Sequence, residues 1–376
     1  MRSINRPFFE RIDYLRGICA LWVCFYHGIQ LVPTSAQSVK DWVGSYNPII
    51  LFLSQGWLAI SIFIMTSGFC LGYGLKDTSV DWKKYFVCRF LRIAPLYYFL
   101  IFVALLGPSV TPVSPVDVLS SFTMLPIPGS YSPSPWLGVC WSIKLEWLLY
   151  IVVPALCIIP SQLKNSFKYY LALGFIFLFA LLHLAKTDPI IVYYNGFPSR
   201  LLEFVIGFYI GYFKVDIGWQ NSKKYFGIIG ALLFFILTVE LNRLGGWYKL
   251  SEVARLSATS VSIIASLALL QWAIKQDTIN NRMSSPSLRL IMKTTGKVSY
   301  SIYMIHFAII YLIAIPIYNI AKNYFSEDLS LLAAIIMLGF STISISMISY
   351  NLIERPFLKY RPKYLFNEEK PGTHLL

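Results

Sequence analysis

The chain has 376 residues, of which 56% are hydrophobic and only 13% are charged, and its mean hydropathy is +0.60. Soluble globular domains carry roughly 25% charged residues, so this composition excludes an ordinary water-soluble protein. A net charge of +14 would point to nucleic acid in a soluble chain. Here the positive residues lie in loops between apolar segments, so no nucleic-acid partner is expected.

Ten apolar runs follow one another along the chain. A helix needs about 20 residues to cross a hydrocarbon core about 30 Å thick. In lipid every backbone N–H and C=O must be paired within the protein, so such runs become helices. The sequence therefore predicts an all-α membrane protein, a bundle of about ten transmembrane helices, with spans at 13–33, 49–73, 91–108, 138–159, 168–185, 199–214, 225–242, 255–274, 298–320 and 329–353.

The positive residues predict how this bundle is oriented. Of the 32 Lys and Arg residues, 24 lie before the first span or after the even-numbered spans. Seven lie in the alternate loops, and Lys144 lies within a span. Because cytoplasmic loops carry an excess of Lys and Arg, both termini are predicted to be cytoplasmic.

Three further patterns concern packing and loops. The pairs Gly68–Gly72 and Gly207–Gly211 have the spacing that lets membrane helices approach closely. The predicted outer loop 109–136 is rich in Pro and Ser, and it either dips back towards the membrane or serves as a flexible connector. The six cysteines lack paired CxxC spacing, so neither a disulfide framework nor a metal site is expected.

Ionisable groups inside spanning helices usually mark a functional site. Arg16 and His27 in span 1 are three helical turns apart, so they share one face about 16 Å apart along the axis. A histidine at that depth either acts as a general base on a hydroxyl or bonds structurally to a neighbouring helix. Arg89 and Arg92 at the start of span 3 either grip a phosphorylated ligand or anchor the helix at the interface.

Spans 4, 6 and 9 carry the other intramembrane polar groups. Ser142 and Glu146 are four residues apart and share a face, while Lys144 points elsewhere. Tyr303 and His306 are three apart, and a second histidine could bind substrate or hold the first one. The neighbouring Arg200–Glu203 charges form an i,i+3 pair for which a structural role is the default.

These residues together resemble the acyltransferase-3 family of integral membrane acyltransferases, which includes bacterial O-antigen and other cell-surface polysaccharide O-acetyltransferases. The resemblance covers roughly residues 8–360, in family order. It rests on the Arg16-x10-His27 spacing, the Phe63…Ser67-Gly68-Phe69 stretch, Arg89-x-x-Arg92-Ile-x-Pro, Trp141-Ser-Ile-Lys-Leu-Glu146, Arg200-x-x-Glu203-Phe, Ser299-Tyr-Ser-Ile-Tyr303-x-x-His306 and Ile353-Glu-Arg-Pro.

The resemblance implies a single transmembrane acyltransferase domain over residues 1–360, with acetyl-CoA as the acyl donor and no metal. It assigns His27, Glu146 and His306 as catalytic candidates and Arg16, Arg89 and Arg92 to binding of the donor. Residues 361–376 are then expected to form a short cytoplasmic tail without an appended periplasmic domain. The bundle itself, or a separate periplasmic partner, would complete the transfer.

The expected function is transfer of an acetyl group from cytoplasmic acetyl-CoA to a hydroxyl of a cell-surface polysaccharide, carried on a lipid or as polymer, at the bacterial inner membrane. Glu146 would orient or recharge His27, which would deprotonate the hydroxyl or carry the acetyl group itself. Alternatives are a succinyl or other acyl donor, a small-molecule acceptor, or a secondary transporter or polysaccharide exporter. A transporter predicts inverted repeats, which the sequence does not show. The outer aromatics Trp42, Tyr46, Tyr131, Trp136 and Trp247 either stack on sugars or form an interfacial belt.

Overall fold

The structure is a computed structural model. It describes residues 9–32, 48–76, 78–106, 114–127, 134–158, 174, 197–214, 225–246, 249–278 and 285–367. The predicted span 168–185, apart from Gly174, lies outside these residues, as do His183, His374 and the aromatics Trp42, Tyr46, Tyr131 and Trp247.

Helices account for nearly all the described chain. They are α1 Glu10–Leu31, α2 Pro48–Leu53, α3 Ala59–Leu75, α4 Trp82–Leu106, α5 Pro115–Thr123, α6 Cys140–Leu156, α7 Phe197–Tyr212, α8 Phe226–Arg243, α9 Glu252–Thr278, α10 Pro286–Lys297, α11 Ser299–Ile309, α12 Ile315–Ala321, α13 Glu327–Ser349 and α14 Arg355–Lys359. Short 3-10 turns cover Gly56–Leu58 and Pro135–Leu137, and two short strands, β1 Thr78–Val80 and β2 Leu365–Asn367, pair antiparallel.

Helices coincide with nine of the ten predicted spans within the described residues. In the part of the chain that the structure describes, six segments are long and apolar enough to cross a membrane: Gly56–Leu75, Trp82–Leu106, Phe226–Arg243, Val253–Asp277, Ser299–Ala321 and Glu327–Lys359. Helices α6 and α7 have only 17 and 16 residues, short of the roughly 20 that a full crossing needs. The count of ten and the cytoplasmic termini stay predictions.

Two predicted boundaries were wrong. Span 2 is not one helix, because a turn at Ser54 and Gln55 separates α2 from the segment that continues into α3. Gly56 lies directly after this turn, where an added Cβ would overlap Tyr26 and the backbone of Trp22 in α1. Helix α4 starts at Trp82 rather than at 91, which places both arginines of the Arg-x-x-Arg motif inside the helix.

Two π-helical turns interrupt the C-terminal helices, Ile310–Ala314 between α11 and α12 and Tyr350–Glu354 between α13 and α14. Each turn precedes a proline, Pro316 or Pro356, at the second position of the next helix. Proline lacks an N–H and clashes with the carbonyl four residues earlier. The wider π turn is one of the local adjustments that satisfy the freed backbone groups.

Helix α5 lies in the predicted outer loop. Its polar residues are buried and its apolar residues are exposed, which is the reverse of the pattern expected in water. Its buried residues are Asp117, Ser120 and Ser121, and its exposed ones include Val116, Val118, Leu119 and Phe122. Inside the protein, the ammonium of buried Lys144 donates to the hydroxyl of Ser120 at 2.8 Å. An apolar outer face suits hydrocarbon, which favours the expectation that this loop dips back towards the membrane.

The predicted glycine pairs bring α3 and α7 together. A Cβ added at Gly68 or Gly72 would overlap the carbonyl oxygens of Phe204 and Phe208, and one added at Gly207 would overlap that of Met65. Backbones this close require residues without a side chain. The packing role predicted for the glycines is what the structure shows.

Gly207→Ala should destabilise the protein because the new methyl group meets backbone rather than a movable side chain. Overpacking of this kind typically costs about 1–3 kcal/mol or more. The measurement is the temperature at which half of the purified protein loses its monodisperse elution profile in detergent.

Gly339→Ala is the matched control, since its added Cβ would meet only the edge of the Phe25 ring at 3.1 Å. The half-buried Phe25 side chain can yield, and alanine favours a helix over glycine. Equal melting of the two variants would contradict the packing role of Gly207.

Candidate active site

A cavity of about 310 Å³ lies among α1, α3, α4 and α10, and its walls are strongly basic. Among the described residues, six cationic side chains line it against two acidic ones, Glu10 and Asp13. The cations are Arg16, Arg89, Arg92, Lys293, Lys297 and Arg361. All three arginines predicted to bind the donor therefore meet in one space, and a polyanion suits its charge.

Two of these arginines have a buried Nε–H donor that forms no hydrogen bond with the described residues. The Nε atoms of Arg16 and Arg89 are buried and have no hydrogen-bond partner among the described residues. Because an unsatisfied buried donor is costly, both donors are suited to an acceptor that enters the basic cavity. An anionic ligand would supply acceptors of this kind.

Arg89 lies in a box of tyrosine rings. Its Cζ atom is 5.4 Å from the ring centre of Tyr85, 5.6 Å from that of Tyr150 and 5.5 Å from that of Tyr364. Its Nη2 donates to the Tyr364 hydroxyl at 2.9 Å. The tyrosine faces stabilise the cation without neutralising it, so the charge stays available to an anion.

Arg92 has a carboxylate partner that the sequence prediction did not include. Its Nη1 lies 3.7 Å from Oε2 of Glu354, and Oε1 of Glu354 accepts a hydrogen bond from Ser301. Glu354 is only 1% exposed and ends the second π turn. The signals in the sequence were the Ile353-Glu-Arg-Pro motif and Pro356, since π turns are frequent at functional sites.

A second cavity of about 60 Å³ adjoins the first, because Arg16 and Ser67 line both. Its polar walls include Ser142, Glu146 and Tyr303. The hydroxyls of Ser142 and Tyr303 are 2.8 Å apart. The face shared by Ser142 and Glu146, predicted from their spacing, thus points into this space, while Lys144 points towards α5.

The two histidines of the motifs are directly paired. Nδ1 of His27 and Nε2 of His306 are 3.0 Å apart. Nδ1 of His306 lies 2.8 Å from the carbonyl oxygen of Tyr303, which can only accept, so this nitrogen carries the hydrogen. In neutral rings, Nε2 of His306 therefore accepts from Nδ1–H of His27, and Nε2 of His27 keeps its lone pair.

The histidine pair lies one side chain beyond the small cavity. Neither histidine lines the two cavities, whereas Tyr303, whose ring centre is 5.9 Å from that of His306, does. The partners of Glu146 are the hydroxyls of Tyr150 and Ser67. The structure thus pairs His27 with His306, and it groups Glu146 with Arg16 rather than with His27.

The Arg200–Glu203 pair forms a closed cluster elsewhere in the bundle. Nη1 of Arg200 lies 2.9 Å from Oε2 of Glu203, and both residues are buried. The Ser61 hydroxyl donates to Glu203 at 2.7 Å and accepts from Arg200 at 3.0 Å. Neither charge lines the two cavities, so the structural role is the one that the geometry supports.

Comparison with known families gives the same assignment as these motifs. A family model described as an acyltransferase domain, of the acyltransferase-3 type, matches residues 9–351. The chain belongs to this acyltransferase family. No solved structure matches the chain.

Curated relatives are distant, and the chain matches only part of each. A proposed acetyltransferase of Acidianus two-tailed virus is 27% identical over 245 residues, which cover 62% of the chain and 66% of the relative. A proposed O-acetyltransferase of Staphylococcus aureus is 25% identical, with 94% and 59% covered. The peptidoglycan O-acetyltransferase of Listeria monocytogenes is 24% identical, with 94% and 56% covered. The chain thus spans between about half and two thirds of the length of these relatives.

The closed cluster of Arg200 and Glu203 allows a test of its structural role. Glu203→Leu alone leaves a buried guanidinium without its carboxylate, which typically costs about 3–5 kcal/mol. Adding Arg200→Met removes the stranded charge and should restore most of the thermal stability measured in detergent.

The relevant control is the catalytic activity of the double variant once its stability has recovered. A double variant that is as stable as wild type but inactive would contradict a purely structural role for the pair.

Proposed function

We propose that the protein transfers an acetyl group from acetyl-CoA to a hydroxyl of a cell-surface glycan, at the bacterial cytoplasmic membrane. The observation that carries the proposal is the basic cavity, which holds the three arginines of the family motifs and two unused buried guanidinium donors. The charged residues of that cavity suit the phosphates of CoA, whose negative charges need fixed bidentate partners.

The small cavity is large enough for an acetyl group. Its volume is about 60 Å³, and it adjoins the basic cavity at Arg16 and Ser67. The polar groups that face it, Ser142, Glu146 and Tyr303, are hydrogen-bonding partners for a thioester carbonyl or for an approaching hydroxyl. The pantetheine arm would enter from the basic cavity and bring its thioester towards Tyr303, beyond which the two histidines lie.

His27 is the proposed general base. The free lone pair on its Nε2 takes the proton of the acceptor hydroxyl while the hydroxyl oxygen bonds to the acetyl carbon. The carbon–sulfur bond then breaks, and the departing CoA thiolate receives the proton. The alternative is a relay in which Nε2 of His27 carries the acetyl group between the two substrates.

The acceptor assignment rests on relatives rather than on the cavities. The Listeria monocytogenes relative is named for peptidoglycan, so peptidoglycan joins lipid-linked and polymeric surface polysaccharides such as O-antigen or capsule as a candidate. The positive-inside distribution supports a cytoplasmic orientation of the basic cavity. A separate partner protein at the outer side is compatible with either acceptor.

The main test is complementation of a deletion strain of the host with wild type or His27→Ala. Wild type should restore the acetyl signals of the surface glycan in NMR spectra, and His27→Ala should reduce them by a factor of at least about 10² because a general base is lost. Equal amounts of both proteins in the membrane fraction are the control.

Full acetylation by His27→Ala would rule out the base role of this residue. If wild type restores no acetyl group, the acyl group or the acceptor is a different one. Acetylated His27 in protein that has been incubated with acetyl-CoA alone would favour the relay.

Two substitutions of His306 test whether its hydrogen bond to His27 matters, as distinct from the size and polarity of its side chain. In His306→Gln the side-chain oxygen would lie near the present position of Nε2 and accept from Nδ1–H of His27, whereas the side chain of His306→Asn is too short to do so. We expect His306→Gln to keep most of the transfer rate and His306→Asn to lose about 10²-fold, since His27 then loses its fixed tautomer.

The measurement is the initial rate of acetyl transfer with purified proteins in nanodiscs, normalised to folded protein. Similar rates for the two His306 variants would show that the hydrogen bond to His27 does not set its tautomer.

A further inference from the structure

The segment that follows α14 folds back onto the basic cavity. The family model matches the chain only as far as residue 351, and residues 361–376 were expected to be a cytoplasmic tail. In the described part of this tail, β2 pairs with β1 so that Leu365 faces Val80 and Asn367 faces Thr78. We call residues 361–367 the C-terminal clasp.

The clasp is fixed to α4 and to the turn before it by its backbone. The N–H of Asp81 donates to the carbonyl of Tyr364 at 3.0 Å, and the thiol of Cys88 donates to the carbonyl of Pro362 at 3.0 Å. Tyr364 and Leu365 are buried, and Tyr364 packs edge-on against Tyr85, with ring centres 5.5 Å apart. This segment therefore occupies a defined position beside the first turns of α4.

Tyr364 acts on the cavity through Arg89. Its hydroxyl is the acceptor for Nη2 of Arg89 at 2.9 Å, and its ring forms one wall of the tyrosine box. The guanidinium is planar, so a bond to Nη2 also fixes the direction of the unused Nε donor, which has no partner among the described residues. Arg89 and its donor are thus oriented by a residue outside the matched family domain.

The clasp also contributes a charge of its own. Arg361 lines the basic cavity, whereas the neighbouring Lys363 is exposed and does not. The Arg361 guanidinium is held by a bond from its Nε to the carbonyl of Leu358 at 3.2 Å. The fold therefore gives these two charges of the tail different positions.

We infer that the C-terminal clasp is a part of the donor-binding site, in which Arg361 binds an anionic group of CoA and Tyr364 is a positioning residue for Arg89. This inference rests on the proposed function, because it takes the ligand of the basic cavity to be CoA. It extends the site beyond the residues of the family motifs.

The test uses the full chain in nanodiscs and two matched pairs of variants. Arg361→Gln is compared with Lys363→Gln, since each removes one positive charge from the clasp. Tyr364→Phe is compared with Tyr360→Phe, since each removes one hydroxyl and Tyr360 is 78% exposed. The readouts are the Kd of CoA at equilibrium, and the KM for acetyl-CoA and kcat.

Arg361→Gln and Tyr364→Phe should each weaken CoA binding about tenfold, the effect of one hydrogen bond to a charged group. The KM for acetyl-CoA should rise with them, while kcat and the KM for the acceptor stay unchanged. The melting temperature should stay unchanged in Arg361→Gln and fall slightly in Tyr364→Phe, which leaves the Nη2 donor of Arg89 without its acceptor. Lys363→Gln and Tyr360→Phe should bind CoA as wild type does.

Three results would overturn the inference. Wild-type affinity for CoA in both Arg361→Gln and Tyr364→Phe would show that the clasp does not contact the donor site, with the proposed function intact. An equal loss of CoA affinity in Lys363→Gln would show that Arg361 acts only through the net positive charge of the clasp and not through direct contact with CoA. Absence of saturable CoA binding by the wild-type protein would overturn the donor assignment itself, and the inference with it.

Discussion

The structure depends on positive charge that is buried among membrane helices without full neutralisation. Placing a guanidinium out of water costs several kcal/mol unless its donors and its charge find partners. Arg92 has the carboxylate of Glu354, and Arg200 has that of Glu203. Among the described residues, Arg89 instead has tyrosine faces and one tyrosine hydroxyl. Arg200, which lines neither cavity, therefore holds the fold together, whereas Arg89 lines the basic cavity and keeps its charge available to an anionic ligand.

Holding these charges in place requires helices that come very close and helices that change pitch. Gly207 lets α7 contact the backbone of α3 at Met65, and this contact fixes the frame around the closed Arg200–Glu203 cluster. Pro356 is accompanied by the π turn that ends at Glu354. Since a π turn rotates the side chains that follow it relative to a regular helix, the proline and the partner of Arg92 are linked in one local feature.

The helical spans and the site residues could be read from the sequence because lipid imposes simple rules on both. Apolar length predicted the helices, and the Arg-x-x-Arg and His motifs named residues that meet in space, with His27 and His306 in contact. The grouping of Glu146 with Arg16 could not be predicted, because it depends on the mutual rotation of helices distant in sequence. The pairing of Glu354 with Arg92 and the position of the clasp were missed for a different reason. A π turn and a short β pairing leave little trace in hydropathy, although the Ile353-Glu-Arg-Pro motif marked the position of Glu354.

Tyr303 connects the two halves of the site. Its hydroxyl meets Ser142 at the wall of the small cavity, and its carbonyl accepts from His306 and so sets the tautomer of the histidine pair. Both contacts come from one turn of α11, which ends at the π turn Ile310–Ala314. The wall of the small cavity and the support of the histidine pair therefore come from the same helical turn. This placement follows from the i,i+3 spacing of Tyr303 and His306, which puts both residues on one side of the helix.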